Sequence, residues 1–424
     1  MHQPLSRYVD YMYSYPHKTA YRPFPAPVSL LPYLEQLQGR KASLYFHIPF
    51  CSHKCGYCNL FSLQTNRTEY IATYLDTLHR QAQQLSPLTA GLTFDSFAIG
   101  GGTPLLLTVP QLEQLMATAA LFGVHPSHAF TSVETSPEYA DRPRLNVLKK
   151  AGVSRVSIGI QSFQDEELKA IKRRPRQNTI YQALDDIRQM DFPYFNIDLI
   201  YGIKGQTVES FLYSLEEALR FQPNELFIYP LYVRQGTGIT EREPDDVCFR
   251  MYRAACKLLQ AKGFLQTSMR RFIHHPSTDA EVSCGDEVML SCGSGGRSYL
   301  GDLHYATRYT VCQQCIAREI DEYMATTDFT VARNGFILSA KEQQQRFIIK
   351  NLMYYMGIDK AEYTRRFGEP LDRTPLFRQL AEQYWIEETP ERIRLTPEGL
   401  GYSDYIGQLF ITPEIRQLME TYSY

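Results

Sequence analysis

Three cysteines on one short stretch, Cys51-x3-Cys55-x2-Cys58, are the residues here best suited to chemistry. Three thiolates so close together wrap one iron–sulfur cube and leave one iron without a protein ligand, whereas a structural cluster takes four cysteines. An iron left open accepts a small chelating molecule and passes it an electron. The competing readings are a zinc ion completed by His47 or His53, and three buried cysteines with no ligand. A zinc ribbon needs a second ligand pair, and the next cysteine downstream is Cys248. The loop's place directly after the apolar run SLYFHI, with Tyr57 before the last cysteine, favours the cluster.

The elements that must position these thiolates are legible as a pattern. Between residues 43 and 235 short apolar runs alternate with longer amphipathic segments, as when parallel strands are joined by crossover helices. Six strands are expected, at SLYFHI (43–48), FDSFAI (94–99), AFTSVE (129–134), RVSIGI (155–160), FNIDLI (195–200) and ELFIYP (225–230). The clearest helices between them start at Thr68 and at Val208. The class is α/β, as an incomplete (β/α)6 barrel or an open doubly wound sheet, and in both ligands sit at the carboxyl ends of the strands. Those ends carry the cysteine loop, Gly100-Gly101-Gly102-Thr103-Pro104, Glu134-Thr135-Ser136-Pro137, Gln161-Ser162, Asp198 with Tyr201-Gly202, and Tyr229-Pro230-Leu231-Tyr232.

The stretch from Gly263 to Thr310, rich in Gly, Ser and His, is expected to be loop and strand closing this domain. From about residue 336 helices are expected at KEQQQRFIIKNLMYYM and LFRQLAEQYW, then a hairpin at WIEETPERIRLT and a final helix opened by Pro397. That is a small winged-helix-like α+β domain. Glu387, Glu388 and Glu391 in its hairpin, with a net charge of -2 over 424 residues, argue against nucleic acid as a partner. No stretch approaches the ~18 apolar residues of a membrane span, and the first residues lack the apolar core of an export signal. A cytoplasmic location is expected, where nine cysteines are thiolates or metal ligands rather than disulfides. The expected division is a Tyr-rich extension (1–40), a catalytic core (41–240), a barrel-closing substrate region (241–335) and the C-terminal domain (336–424).

The ordered segments LYFHIPFCSHKCGYCNLF, IGGGTP, SVETSPE, LKKAGVSRVSIGIQSFQDEELKAI and NIDLIYGIKGQT, with LTPEGL in the tail, resemble a known family. It is that of the oxygen-independent coproporphyrinogen III dehydrogenases and their heme-chaperone relatives, within the radical S-adenosylmethionine (SAM) superfamily. The resemblance implies an incomplete radical SAM barrel, a 4Fe-4S cluster on Cys51, Cys55 and Cys58, and one or two molecules of SAM. It implies an enzyme that cleaves SAM to a 5'-deoxyadenosyl radical, with a reducing partner such as flavodoxin or ferredoxin. By position, Tyr45 is implied to hydrogen-bond the SAM carboxylate, and Tyr57 to lie at the cofactor. Gly100, Gly101 and Gly102, with Thr103, are implied to face the methionine moiety. Glu134 suits an ammonium or ribose hydroxyls, and Gln161, Arg173 and Asp198 complete the implied pocket. A glycine run lets a ligand approach the backbone, and arginine clamps carboxylates. Each also has an ordinary use: Glu134 as a cap, Asp198 as a satisfied polar group, Arg173 within a solvated basic run.

Two departures bear on the substrate. Leu60 stands where the dehydrogenases carry a fourth cysteine, and the His-Asn-x-x-Tyr-Trp segment common in the chaperones is absent, Trp385 being the one tryptophan. Pro175 also stands where the family often has His. The expected specificity residues are Tyr15, His17, Tyr21, Arg22, Arg270, Arg271, Arg297, His304 and Tyr305, suited to an acidic or aromatic small molecule. Cys284, Cys292, Cys312 and Cys315, spaced C-x7-C-x19-C-x2-C, suit either a second metal or ordinary burial, and burial is expected.

Overall fold

The structure is a computed structural model that describes residues 7–8, 14–124, 128–173, 177–274, 288–371 and 375–423. A first strand, β1 (Arg22–Ser29), precedes the expected six: β2 (Lys41–Ile48), β3 (Thr93–Gly101), β4 (Phe130–Thr135), β5 (Arg155–Gln161), β6 (Tyr194–Tyr201) and β7 (Glu225–Pro230). From β2 to β7 each strand pairs parallel with the next. Leu44, Phe46 and Ile48 on β2, like Ile197 and Leu199 on β6, are at most 1% exposed, as strands covered on both faces must be. The helix Thr68–Leu85 covers one face with Ile71, Tyr74, Leu75, Leu78, Ala82 and Leu85, a three-and-four spacing that forms a single apolar stripe. The helix Val208–Leu219 starts on a capping box in which Ser210 N donates to Thr207 Oγ1 (3.1 Å) and Thr207 N to Ser210 Oγ (3.0 Å).

Beyond β7 the chain holds more strand than its Gly and Ser content suggests. β8 (Phe264–Gln266) and β9 (Arg271–His274) form a hairpin that adds antiparallel to β7. β10 (Val288–Cys292) instead joins the far side of the sheet, parallel to β2. β11 (Arg297–Leu300), β12 (Leu303–Ala306) and β13 (Val331–Ile337) follow antiparallel, and β1 closes that edge. The order is β1-β13-β12-β11-β10-β2-β3-β4-β5-β6-β7-β9-β8, one sheet with two edges among the described residues. Gly293 and Gly295, at φ 99° and 95°, make the β10–β11 turn, so these glycines mark a hairpin rather than a structureless loop.

A second core, with Phe347, Ile349, Leu352, Ile358, Phe377, Leu380, Ile393, Leu395, Ile406 and Ile415, organises the C-terminal part. Its helices Ala340–Leu352 and Pro375–Glu382 and the hairpin of Ile386–Glu388 with Arg392–Leu395 lie where expected. The strand Ile358–Asp359 and the helix Lys360–Phe367 are additional, and Pro397 opens a helix that ends at Leu400 and is followed by Ser403–Leu409 and Pro413–Glu420. Pro397 therefore does not open the last helix, because Gly399 and Gly401 end that segment early. Arg270 Nη2 joins this part to the sheet, donating to both carboxylate oxygens of Asp404 at 2.5 and 2.6 Å, and Tyr232 donates to the same carboxylate. No helix among the described residues is long and apolar enough to cross a membrane.

Candidate functional site

The cysteine loop leaves β2 and is closed at its base by hydrogen bonds from Leu63 N to Pro49 O (2.6 Å) and from Thr65 N to Cys51 O (3.0 Å). Its tip is held by two other segments, Gly56 N donating to Ile171 O (2.9 Å) and Gly238 N to Gly56 O (2.6 Å). A side chain at Gly56 would come within 3.1 Å of Ile239 and Lys172, so glycine there permits the close approach. Each sulfur has its own polar neighbour: Thr103 Oγ1 lies 3.6 Å from Cys51, Arg173 Nη1 lies 3.4 Å from Cys55, and Ser62 Oγ lies 3.9 Å from Cys58. Burial, and then the neighbouring Cys58, push the Cys51 thiol up to about 11, and burial raises Cys58 as well. In a dry site of this kind a positive metal centre is what makes thiolates stable.

The zinc alternative fits less well. His47 Nε2 and His53 Nε2 lie 2.9 and 2.8 Å from the carbonyls of Phe61 and Lys172, so each ring donates there. Burial lowers His47 to about 4, so it is neutral, and its Nδ1 accepts from the Tyr45 phenol at 3.0 Å. Tyr45 thus directs its proton at His47, which suits its oxygen to a donor such as an ammonium rather than to a carboxylate. Cys248 lies elsewhere, its Sγ 3.3 Å from both Glu243 O and Arg242 Nη1. Among the described residues no three His, Cys, Asp or Glu side chains form a ready single-ion site.

The three glycines after β3 each make room for a different group. A Cβ on Gly100 would fall 2.8 Å from Glu134 Oε2, one on Gly101 (φ 117°) 2.8 Å from the His47 ring, and one on Gly102 2.9 Å from Cys51 Sγ. The amides of the last two and of Thr103 are already engaged, Gly101 N with Glu134 Oε2 (3.3 Å), Gly102 N with Ile48 O (2.8 Å) and Thr103 N with Phe50 O (2.8 Å). The run therefore contributes space and rigidity, not amide donors. Glu134 is accessible, but to the cavity rather than to bulk water, and burial followed by repulsion from Asp198 raises its carboxyl to about 7. Burial likewise raises Asp198 to about 6, although Asn196 Nδ2 donates to it at 2.7 Å. Gln161 sits at φ 75° in a bulge between β5 and β6, a left-handed conformation that costs about 1–2 kcal/mol for a residue other than glycine.

These groups share one cavity of about 730 Å³. Its wall includes Cys51, Cys55, Cys58, Tyr45, Tyr57, Gly101, Gly102, Thr103, Glu134, Gln161, Arg173 and Asp198, while Gly100 stands behind Glu134. Sequence reasoning missed Ser157, Gly159 and Ile200, which period-two alternation from Gln161 and Asp198 identifies. It also missed Lys18, Arg234, Met289, Thr307 and Tyr309, which come from distant segments and leave no local signal. Of the expected substrate residues, Arg297 alone lines this wall. Tyr15 is 1% exposed, its hydroxyl 3.3 Å from Thr412 Oγ1, and Tyr21 is buried. Arg22 donates to Tyr21 O (2.8 Å) and Thr421 Oγ1 (3.2 Å), while Arg270 and Arg271 pair with Asp404 and Glu225. His17 bonds Thr19 Oγ1 (2.8 Å), His304 is fully buried against Tyr299, and Tyr305 lies off the cavity. Rings and guanidiniums that suit a ligand equally suit packing, and here they join the N-terminal segment to both cores. Cys292 is buried in the main core, Cys312 and Cys315 begin the helix Gln313–Ala325, and Cys284 and Pro175 lie outside the described residues.

Comparison with known proteins gives the same picture. A model of the radical SAM superfamily matches residues 45–218, and one of the HemN C-terminal domain matches residues 338–401. The oxygen-independent coproporphyrinogen III oxidase of Salmonella typhimurium is 31% identical over 394 residues, covering 85% of this chain and 83% of that protein. The heme chaperone HemW of Bacillus subtilis is 27% identical over 386 residues, covering 87% and 100%. The solved structure of coproporphyrinogen III oxidase (HemN) from Escherichia coli, a radical SAM enzyme, matches with a TM-score of 0.82 at 22% identity, covering 94% of this chain and 96% of that one. The chain belongs to the radical SAM superfamily, in the family of the oxygen-independent coproporphyrinogen III oxidases and HemW heme chaperones. That family implies SAM and a 4Fe-4S cluster. The residues present fit this pair: three thiols on the wall of one cavity, His47 and His53 engaged with backbone carbonyls instead, and a glycine edge whose Cβ atoms would fill the space.

Proposed function

We propose that this chain is a radical SAM enzyme acting on a carboxylate-bearing aromatic molecule of the tetrapyrrole class, by hydrogen abstraction or by transfer of a SAM-derived group. The supporting observation is that the cavity holding Cys51, Cys55 and Cys58 is also lined by Lys18, Arg234 and Arg297 and by the rings of Tyr229, Tyr232 and Tyr309. Cations beside aromatic faces suit a flat acidic ligand. Relatives named for coproporphyrinogen and for heme point to the same class.

In this reading the three cysteines hold the cluster, and when bound the cluster and SAM supply reductive cleavage of the sulfonium C–S bond. Glu134 and Asp198 hold the cationic end of SAM or its hydroxyls, and Arg173 keeps a positive charge beside Cys55. Ile200 and Met289 exclude water from the reacting face. The core 41–240 carries the cofactor side, residues 241–335 another wall, the N-terminal segment adds Lys18, and residues 336–424 brace Tyr232. The electron donor is a reducing partner such as flavodoxin or ferredoxin, and the location is cytoplasmic.

The test is anaerobic reconstitution. About four irons per chain and reductant-dependent 5'-deoxyadenosine are expected, with one or two SAM per cluster read by binding stoichiometry. If the Cys51→Ala, Cys55→Ala, Cys58→Ala triple variant still cleaves SAM, the reading fails. Deuterium passing from a labelled candidate into 5'-deoxyadenosine identifies the substrate, whereas a heme-induced visible spectrum without SAM cleavage points to a carrier.

A further inference from the structure

The helix Gln313–Ala325 starts against the cysteine loop. Gln313 Nε2 donates to Ser62 O (2.9 Å), its Oε1 accepts from Gln64 N (2.8 Å), and Lys54 Nζ reaches Val311 O (3.2 Å). On either side of Gln313 stand Cys312, exposed at the N-cap, and Cys315, half-buried three residues on, both as free thiols. Cys312 and Cys315 lie within one turn of each other, at the helix end where the first backbone amides have no intrahelical acceptor. Residues i and i+3 of a helical turn have Cα atoms about 5 Å apart, inside the range a disulfide spans. That spacing is compatible with a disulfide.

The two thiols are also unlike each other. The Cys315 amide and thiol, then the Gln314 amide and Arg318, draw Cys312 below the usual thiol value, while Cys312 pushes Cys315 up. By contrast burial raises Cys248 to about 11 and Cys256 to about 12. An exposed thiol at a helix N-cap with a second one three residues on is the arrangement of a nucleophile and its resolving partner.

We propose that Cys312 and Cys315 form a thiol–disulfide exchange centre that reacts reversibly with low-molecular-weight disulfides. The Cys312 thiolate attacks one sulfur of the incoming disulfide, whose S–S bond breaks and releases one thiolate that solvent protonates. Cys315 then gives up its proton and attacks the Cys312 sulfur of the mixed disulfide, releasing the second thiol. The protein loses two electrons and two protons, and the incoming disulfide becomes two thiols. This site does not depend on what the cavity binds.

The experiment uses the full chain with its cluster loaded, held anaerobically in mixtures of glutathione and glutathione disulfide, then acid-quenched, alkylated and mapped by peptide mass spectrometry. An internal Cys312–Cys315 bond should appear with a two-electron dependence on the glutathione ratio, reverse with dithiothreitol and leave iron content unchanged. Cys315→Ser should accumulate glutathione on Cys312, and Cys312→Ser should protect Cys315. Cys312 should take iodoacetamide about tenfold faster than Cys256 at neutral pH. The proposal is overturned if both thiols remain alkylatable at the most oxidising ratio, if Cys315→Ser gives no adduct, or if the isolated protein carries a metal ion on the pair.

Discussion

Glu134 and Asp198 face one cavity as carboxyls raised to about 7 and about 6, chiefly by burial. A carboxyl raised above its unfolded value favours the folded state while protonated, and that contribution is lost as pH rises through the folded value. The protein without cofactors is therefore expected to lose thermal stability from about pH 5 to about pH 8 through these groups. SAM is cationic at its ammonium and sulfonium, so its binding should tighten over the same interval. Equilibrium dialysis at about pH 5.5 and about pH 7.5 should show a roughly tenfold gain, flattened at its upper end by Glu134→Gln. A flat profile in the unaltered protein would remove the carboxylates from SAM binding. Gly102→Ala places a methyl against Phe50 O and 2.9 Å from Cys51 Sγ, and overpacking of this kind costs about 1–3 kcal/mol. Lower iron content together with a lower urea midpoint is expected. At this scale the cysteines, glycines and carboxylates were legible because their types are uncommon at strand ends. Tyr15, Arg22 and Arg270 were misread, since a phenol or guanidinium buried for packing has the same letter as one that binds.

At the scale of elements, the six parallel strands were legible from local pattern, because a strand buried on both faces is a short apolar run whatever its partners. The opposite end of the same strands is held by charge. Glu225 on β7 lies between Arg155 on β5, at 2.5 Å, and Arg271 on β9, which donates to its other oxygen. Burial alone would raise Glu225, but the two guanidiniums outweigh it and lower it. Its contribution is present above the unfolded carboxyl range and is lost as pH falls through the lowered folded value, so it opposes acid unfolding until that value is passed. Glu225→Ala removes the buried carboxylate that both Arg155 and Arg271 face and should cost about 3–5 kcal/mol by denaturant titration. Because the charges of Glu225 and Arg155 also act on Asp198, the pH at which SAM binding tightens should shift as well.

Over the whole molecule, the C-terminal part bears on the cavity through a buried contact at Tyr232 and through Tyr422 against Tyr309. Arg270 and Asp404, with side chains 6% and 1% exposed, meet Tyr232 on the cavity wall. Asp404→Ala should destabilise by about 3–5 kcal/mol, since it removes the carboxylate that neutralises a buried guanidinium. It should also weaken substrate binding more than SAM binding, as Tyr232 loses its anchor; equal losses of both would mean simple unfolding. The pairing of β1 with β13, such as Arg22 with Gly335, and of β10 with β2 could not be read in advance. Such partners lie hundreds of residues apart, and local periodicity does not encode them.

That β10 pairing sets an order of events. The strand that carries the cysteine loop gains its second neighbour only when Val288–Cys292 has been made, and Arg297, Thr307 and Tyr309 follow later still. At about 5–20 residues per second, the nascent loop waits roughly tens of seconds without that wall. Iron inserted on the ribosome would meet three thiols in water and no enclosing cavity. A truncation that stops before Val288 should therefore retain less iron than the full chain after anaerobic reconstitution.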